Sequence, residues 1–202
     1  MKLIFLGGAD EIGASSTLIE IGGRNILCDC GIRMSGGQEA QPHLAAITQL
    51  DAILVTHAHM DHIGSLPIIH SAFPRVPVYA TAPTAALMRV MFGDAIRLME
   101  AKAEREGEIP LYGPDAVYSL LAKIQKVPML DPVPLDENGL TAQFFPAGHI
   151  LGAASIGLKG RDGSVLITGD ISVDNQLTVP GMMAPRFQPD VMIVESTYGD
   201  RL

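Results

Sequence analysis

Two rhythms of apolar residues run along this chain. Short runs rich in β-branched and aromatic residues, each closed by glycine, occupy its beginning and its last third. "KLIFLGG" predicts a strand, and "STLIEIGGRNILCDCG" predicts a hairpin turning at Gly22-Gly23. "LDAILVTHAH" predicts a buried strand that runs straight into histidines, and "VPVYAT" predicts another. Between these lie helical spacings: one from about Ile63 to Ala72, the long "TAALMRVMFGDAIRLMEAKAERE", and "GPDAVYSLLAKIQ" with Asp115 near its start. Strand patterns then return in "LTAQFFPAGH", "ASIGLKG", "SVLITGD" and "DVMIVEST". The proline-rich "VPMLDPVPLDENG" before them reads as a surface loop. Strands at both ends with helices between predict an α/β layered sandwich.

At 202 residues the chain can bury one sizeable core. No apolar run approaches the ~20 residues of a membrane span, and "MKLIFLGGADEIG" is too quickly interrupted by glycine and acid to be a secretory leader. No membrane partner is expected. Cys28 and Cys30 alternate on a strand, so they read as two buried thiols on one face, which fits a cytoplasmic protein. The net charge of −8 argues against nucleic-acid binding through a broad basic surface. It leaves room for a metal-dependent nuclease, because bound dications invert the field of a carboxylate-rich site.

The chemistry concentrates in "HAHMDH". His57 and His59 alternate, so an extended segment can aim both at one ion, and Asp61 and His62 follow where the chain must turn toward a second. Imidazole and carboxylate are the ligands of catalytic zinc. His149 after "FFPAG" and Asp170 at the end of "VLITGD" repeat the same arrangement, a ligand residue after an apolar strand. The carboxylate of Asp170 has two oxygens and suits a bridge between ions. His43 and His70 stand alone and read as structural.

Together, "LCDCG", "THAHMDHIGSLP", "AGHILGAAS" and "TGDIS" resemble the successive motifs of the metallo-β-lactamase fold superfamily. "HILGAAS", the "ESTYGDR" at Glu195 to Arg201 and the opening "GGADEIGASSTLIE" resemble its β-CASP branch, in the cleavage and polyadenylation specificity factor type of RNA nuclease. The resemblance implies an αββα sandwich and two zinc ions per complete site. His57, His59 and His149 would hold one, Asp61 and His62 the other, and Asp170 would bridge. It also implies that Asp29 orients an imidazole by accepting its N–H, and that Glu195 pairs with a histidine acting as general acid. Asp61, Asp170 and Glu195 are then the catalytic carboxylates.

In that family an inserted domain follows the "ESTYG" motif and supplies further histidines, whereas this chain has none after His149. Residues 1–202 are therefore expected to be the N-terminal part of a metallo-β-lactamase domain, a sandwich incomplete at its C-terminal side with apolar edges that favour homo-oligomers. The expected substrate is RNA, with single-stranded DNA also compatible. A stand-alone hydrolase of thioesters or lactones shares the "HxHxDH" pattern, and a catalytically silent binding module is the third reading.

Overall fold

The computed structural model describes residues 1–33 and 40–199. Asp200 and Arg201 of the last motif lie outside them. Among the described residues, eleven strands form two sheets. The first contains β1 (Lys2–Gly7), β2 (Ser16–Ile21), β3 (Arg24–Cys28), β4 (Ala52–Leu54), β5 (Val78–Thr81) and β6 (Ile124–Val127), in that order. Its first three strands pair antiparallel and the rest join in parallel. The second sheet runs β11 (Val191–Ile193), β10 (Gly163–Ile167), β9 (Ala154–Gly160), β8 (Thr141–Pro146), β7 (Pro132–Pro134). Only β10 and β11 are parallel there.

Strand alternation builds two cores. Ile19, Ile26 and Leu54 point at the second sheet, where they meet Phe144, Ile156 and Val165. Their neighbours Leu18, Leu27 and Ile53 point the other way, into a core shared with helices. Those helices are α1 (Met60–Ile63), α2 (Leu66–Ala72), α3 (Ala82–Glu106) and α4 (Pro114–Lys123). In α3, Thr84, Ala85, Met88 and Phe92 share a buried face at helical spacing. Full burial of a side chain such as Phe92 contributes about 1.5–3 kcal/mol. Thr81 caps the start of α3, and Gly107, at φ +70°, ends it.

The described residues thus form three layers: helices, sheet, sheet. The outer face of the second sheet carries Phe145, against which Phe187 packs at 6.2 Å between ring centroids. Edge strand β11 leaves Val191, Met192 and, just beyond it, Val194 exposed.

Some local expectations fail. "AKIQKV" continues no helix past Lys123: Ile124–Val127 is strand β6, entered without a loop. The proline-rich segment holds β7, tolerated because it lies at a sheet edge, where a missing N–H costs nothing. Cys28 and Cys30 are both free and buried but do not share a face. Cys28 lies between the sheets and Cys30 in the helix-side core. Asp29 between them adopts a left-handed φ of +57°, which breaks the alternation.

Candidate metal centre

The ligand-type residues converge because five strands end on the same side of the sandwich. Asp29 follows β3, His57 follows β4, His149 follows β8, Asp170 follows β10 and Glu195 follows β11, each within three residues of the strand's last residue. His59 caps α1 in an extended conformation, and Asp61 and His62 ride on that helix's single turn. The turn packs so tightly that a Cβ on Gly31 would stand 1.6 Å from the Asp61 carbonyl oxygen. Gly31 leaves room for the turn to fold back over the end of β3.

Four donors form an imidazole-rich set. The ligand atoms of His57, His59, His149 and Asp170 all lie within 4.8 Å of one another. His59 Nδ1 stands 3.2 Å from His57 Nε2 and 3.1 Å from His149 Nε2. A tetrahedral ion with nitrogen ligands at ~2.0 Å spaces neighbouring ligand atoms by about 3.3 Å, so the residues present fit a divalent cation. Burial pulls the His57 pKa down to about 2, with the neighbouring His62 adding to the effect. Burial also lowers His59. Both imidazoles are therefore neutral and able to ligate near neutral pH.

Asp170 faces two ways. Its Oδ2 lies 3.8 Å from His57 Nε2 and 3.5 Å from His149 Nε2, while its Oδ1 lies 3.2 Å from His62 Nε2. His62 Nε2 is also 3.9 Å from Asp61 Oδ2. Asp61, His62 and the other oxygen of Asp170 thus make a second, carboxylate-rich set beside the first. Burial opposes the charge on His62, but hydrogen bonds to Asp170 and Asp29 outweigh it and push its pKa up to about 10. Burial likewise works against the charge of Asp170, and the His62 hydrogen bond overcomes it, bringing its pKa to about 2.

Behind these ligands lies Asp29, only 2 % exposed. Its Oδ1 accepts the Thr56 N–H at 2.8 Å, and its Oδ2 accepts both the Thr56 hydroxyl at 2.6 Å and His62 Nδ1–H at 2.8 Å. The imidazole it addresses is that of His62. Thr56, to which the sequence assigned no role, lies 3.1 Å from His57 Nδ1 through its hydroxyl oxygen. A hydroxyl directly before an "HxH" pair is the signal that points to it. Glu195 meets neither set among the described bonds. Its carboxylate accepts from the Ile171 and Thr197 N–H groups, bracing the turn that carries Asp170. His43 is exposed and His70 buried elsewhere, between α2 and α4.

A cleft of ≈ 500 Å³ opens on the carboxylate-rich side. Asp10, Glu11, Asp29, Asp61, Asp170 and Glu195 all line it. A polyanion entering it meets repulsion until cations are bound.

Comparison with known proteins agrees with this geometry. The model of the metallo-beta-lactamase superfamily matches residues 9–195. A ribonuclease of Thermus thermophilus is 32% identical over 204 residues, covering 100% of this chain and 44% of its own length. Cleavage and polyadenylation specificity factor subunit 3-II of Arabidopsis thaliana is 30% identical, covering 96% of this chain and 33% of its own. The chain therefore spans less than half the length of these relatives. Among solved structures, an archaeal metallo-beta-lactamase superfamily protein from Sulfolobus tokodaii superposes with a TM-score of 0.51 at 18% identity, over 82% of this chain and 62% of that one. That likeness shows the fold. With its two sheets, its clustered histidines and a family match over most of its length, the chain belongs to the metallo-beta-lactamase superfamily.

Proposed function

We propose that the protein is a zinc-dependent phosphodiesterase of the β-CASP type that cleaves RNA. On this reading residues 1–202 are the N-terminal part of its metallo-β-lactamase domain, with an inserted domain and closing strands following. The relatives' greater length and their names, ribonuclease and cleavage factor subunit, support it. The observation that carries the reading is the two-faced carboxylate of Asp170, one oxygen toward His57 and His149 and the other toward His62.

His57, His59, His149 and Asp170 would hold one zinc, and His62, Asp61 and Asp170 the other. Bound there, zinc supplies an activated water and neutralises charge on a phosphoryl group. The chain's own residues set the stage. Asp29 takes the Nδ1–H of His62 and so keeps Nε2 turned toward Asp61 and Asp170. The acidic cleft, once its charge is reversed, admits a phosphodiester from the Asp61 side. Glu195, beside the Asp170 turn, would support a general acid that protonates the leaving oxygen.

A cytoplasmic setting accords with the two free thiols. Among the described residues no helix is long and apolar enough to cross a membrane. Self-association through the exposed edge of β11 belongs to the same reading, and sedimentation of the chain at rising concentration reads it.

Elemental analysis of the dialysed chain should find one tightly held zinc and a second that is readily lost. A folded chain that takes up no zinc overturns the reading. In the full-length protein, H59A should abolish RNA cleavage, and retained cleavage would refute the assignment. Turnover of a small thioester without RNA cleavage would establish the thioesterase alternative instead.

A further inference from the structure

The third imidazole of the metal set comes from a loop, and the loop's tip is held by a helix that contributes no ligand. Between β8 and β9 the feet of the loop are tied by ordinary backbone bonds. Ala147 N–H donates to the Ala153 carbonyl at 3.0 Å, and Ala154 N–H donates to the Thr56 carbonyl at 2.9 Å. On one flank the Gln176 amide donates to the carbonyls of Gly148 at 3.0 Å and His149 at 2.8 Å. The tip is different. The Gly152 carbonyl turns to the start of α3, where it accepts the Thr81 hydroxyl at 2.7 Å and the Thr84 hydroxyl at 2.9 Å.

Both threonines are buried, at 1% and 0% exposure. Capping α3 needs only one of them: Thr81 Oγ1 accepts the Thr84 N–H at 3.3 Å. The Thr84 hydroxyl sends its proton to the loop while its oxygen accepts from the Thr81 hydroxyl at 3.0 Å. The two hydroxyls converge on one carbonyl, and Thr81 shares its single proton between that oxygen and Thr84 Oγ1. The contact is also close in shape. Gly152 sits at φ +82°, and a Cβ there would lie 2.6 Å from Thr84 N and 2.8 Å from Pro83 Cβ. Tip and helix start are therefore fitted without slack. Three residues back along the chain, His149 Nε2 reaches to 3.1 Å from His59 Nδ1.

We propose that Thr81 and Thr84 are positioning residues of the metal centre: their paired hydroxyls clamp Gly152 and thereby set the reach of the His149 imidazole toward the cation shared with His57 and His59. This rests on reading that cluster as a metal site. The helix layer and the second sheet meet through this clamp at the ligand loop. Losing the Thr84 hydroxyl frees the tip and takes a donor from a half-buried carbonyl. The consequence appears in how the ion is held as well as in how firmly the chain folds.

The test uses T84V, which removes the hydroxyl, keeps the shape and leaves the Thr81 cap. Three quantities are measured on the chain: zinc affinity by competition with a chromophoric chelator, the visible spectrum of the cobalt(II)-loaded protein, and thermal unfolding of the metal-free protein. The expected result is a loss of affinity of about tenfold, the low end for groups that orient metal ligands. Shifted cobalt bands should accompany it, and T84S should restore both. Should T84V fail to fold, T84A gives the same readings from a smaller side chain. Unchanged affinity and an unchanged cobalt spectrum, at any melting temperature, overturn the proposal while leaving the metal site standing. A wild-type chain that takes up neither zinc nor cobalt overturns the metal reading itself, and the clamp falls with it.

Discussion

His57 and His62 lie five positions apart and both aim Nε2 at Asp170, yet the protein treats them in opposite ways. Burial drives His57 down to about 2, whereas hydrogen bonds to Asp170 and Asp29 overcome burial and lift His62 to about 10. The difference lies in front of the rings, where Asp170 comes within 3.2 Å of His62 but only 3.8 Å of His57, and behind them. His57 Nδ1 meets the Thr56 hydroxyl, whose own proton is committed to Asp29; His62 Nδ1 meets the Asp29 carboxylate directly. A hydroxyl orients an imidazole and leaves it neutral, while a carboxylate orients it and invites a charge. In the metal-free chain the imidazole set waits for a cation, and the carboxylate set already holds one, as the proton on His62.

The largest effect tests what the two sets share. D170A removes both oxygens at once and should lower RNA cleavage in the full-length protein by on the order of a thousandfold, as when a key charge-stabilising group is lost. Residual activity within about tenfold of wild type would contradict a common ligand. Next is D29A, which strips the acceptor from Thr56 and His62 together. Breaking a buried pair of this kind costs about 3–5 kcal/mol, readable by urea unfolding of the metal-free chain. By NMR titration the His62 pKa should then fall toward that of His57; an unmoved value would mean Asp29 is not what separates them.

A smaller signal is the pH dependence of stability in chelator. The folded pKa of His62, about 10, lies above the ordinary 6.5, so its contribution is complete below about 6.5 and is lost as pH rises through about 10. Asp170, at about 2 against an ordinary 3.8, contributes fully above about 4 and loses that contribution as pH falls through about 2. Urea midpoints of the metal-free chain should therefore decline from pH 6 to 9, and zinc at the carboxylate set should flatten the decline. An equal slope with and without zinc would show that His62 keeps its proton. The smallest effect belongs to E195Q, which preserves an oxygen for Ile171 N–H. Stability should change by less than about 0.5 kcal/mol and zinc content should stay constant, while RNA cleavage in the full-length protein falls. Unaltered cleavage would remove Glu195 from the mechanism.

Much of this candidate centre is legible in the chain because its ligand-type residues follow apolar strands at short, fixed distances. "HAHMDH" announces itself by density, and His149 and Asp170 by repeating the strand-then-ligand pattern. What the sequence leaves open is which group faces which. Asp29 could be expected to orient an imidazole, but only folding selects His62. The clamp at Gly152 joins residues 71 and 68 positions apart, and no local pattern reports such a pairing. Elements were misread where local preference and tertiary demand diverge. Ile124–Val127 has residues content in a helix, yet parallel pairing with β5 claims them. The left-handed turn at Asp29 likewise overrides the strand alternation that would have put both cysteines on one face.

The division of labour between the sheets also sets an order in time. Met1 to Val127 supplies every strand of the first sheet and the four helices described, and the second sheet begins at Pro132. A ribosome delivers the first part whole, with Ile19, Ile26 and Leu54 still waiting for their cover. His57 and His59 arrive with it, and His149 and Asp170 come later. On the proposed reading, an ion captured early would be held by two imidazoles and the Asp61–His62 turn and would easily escape. Once the second sheet docks it would be grasped from both parts, and it would become a fastener between pieces of protein made at different moments.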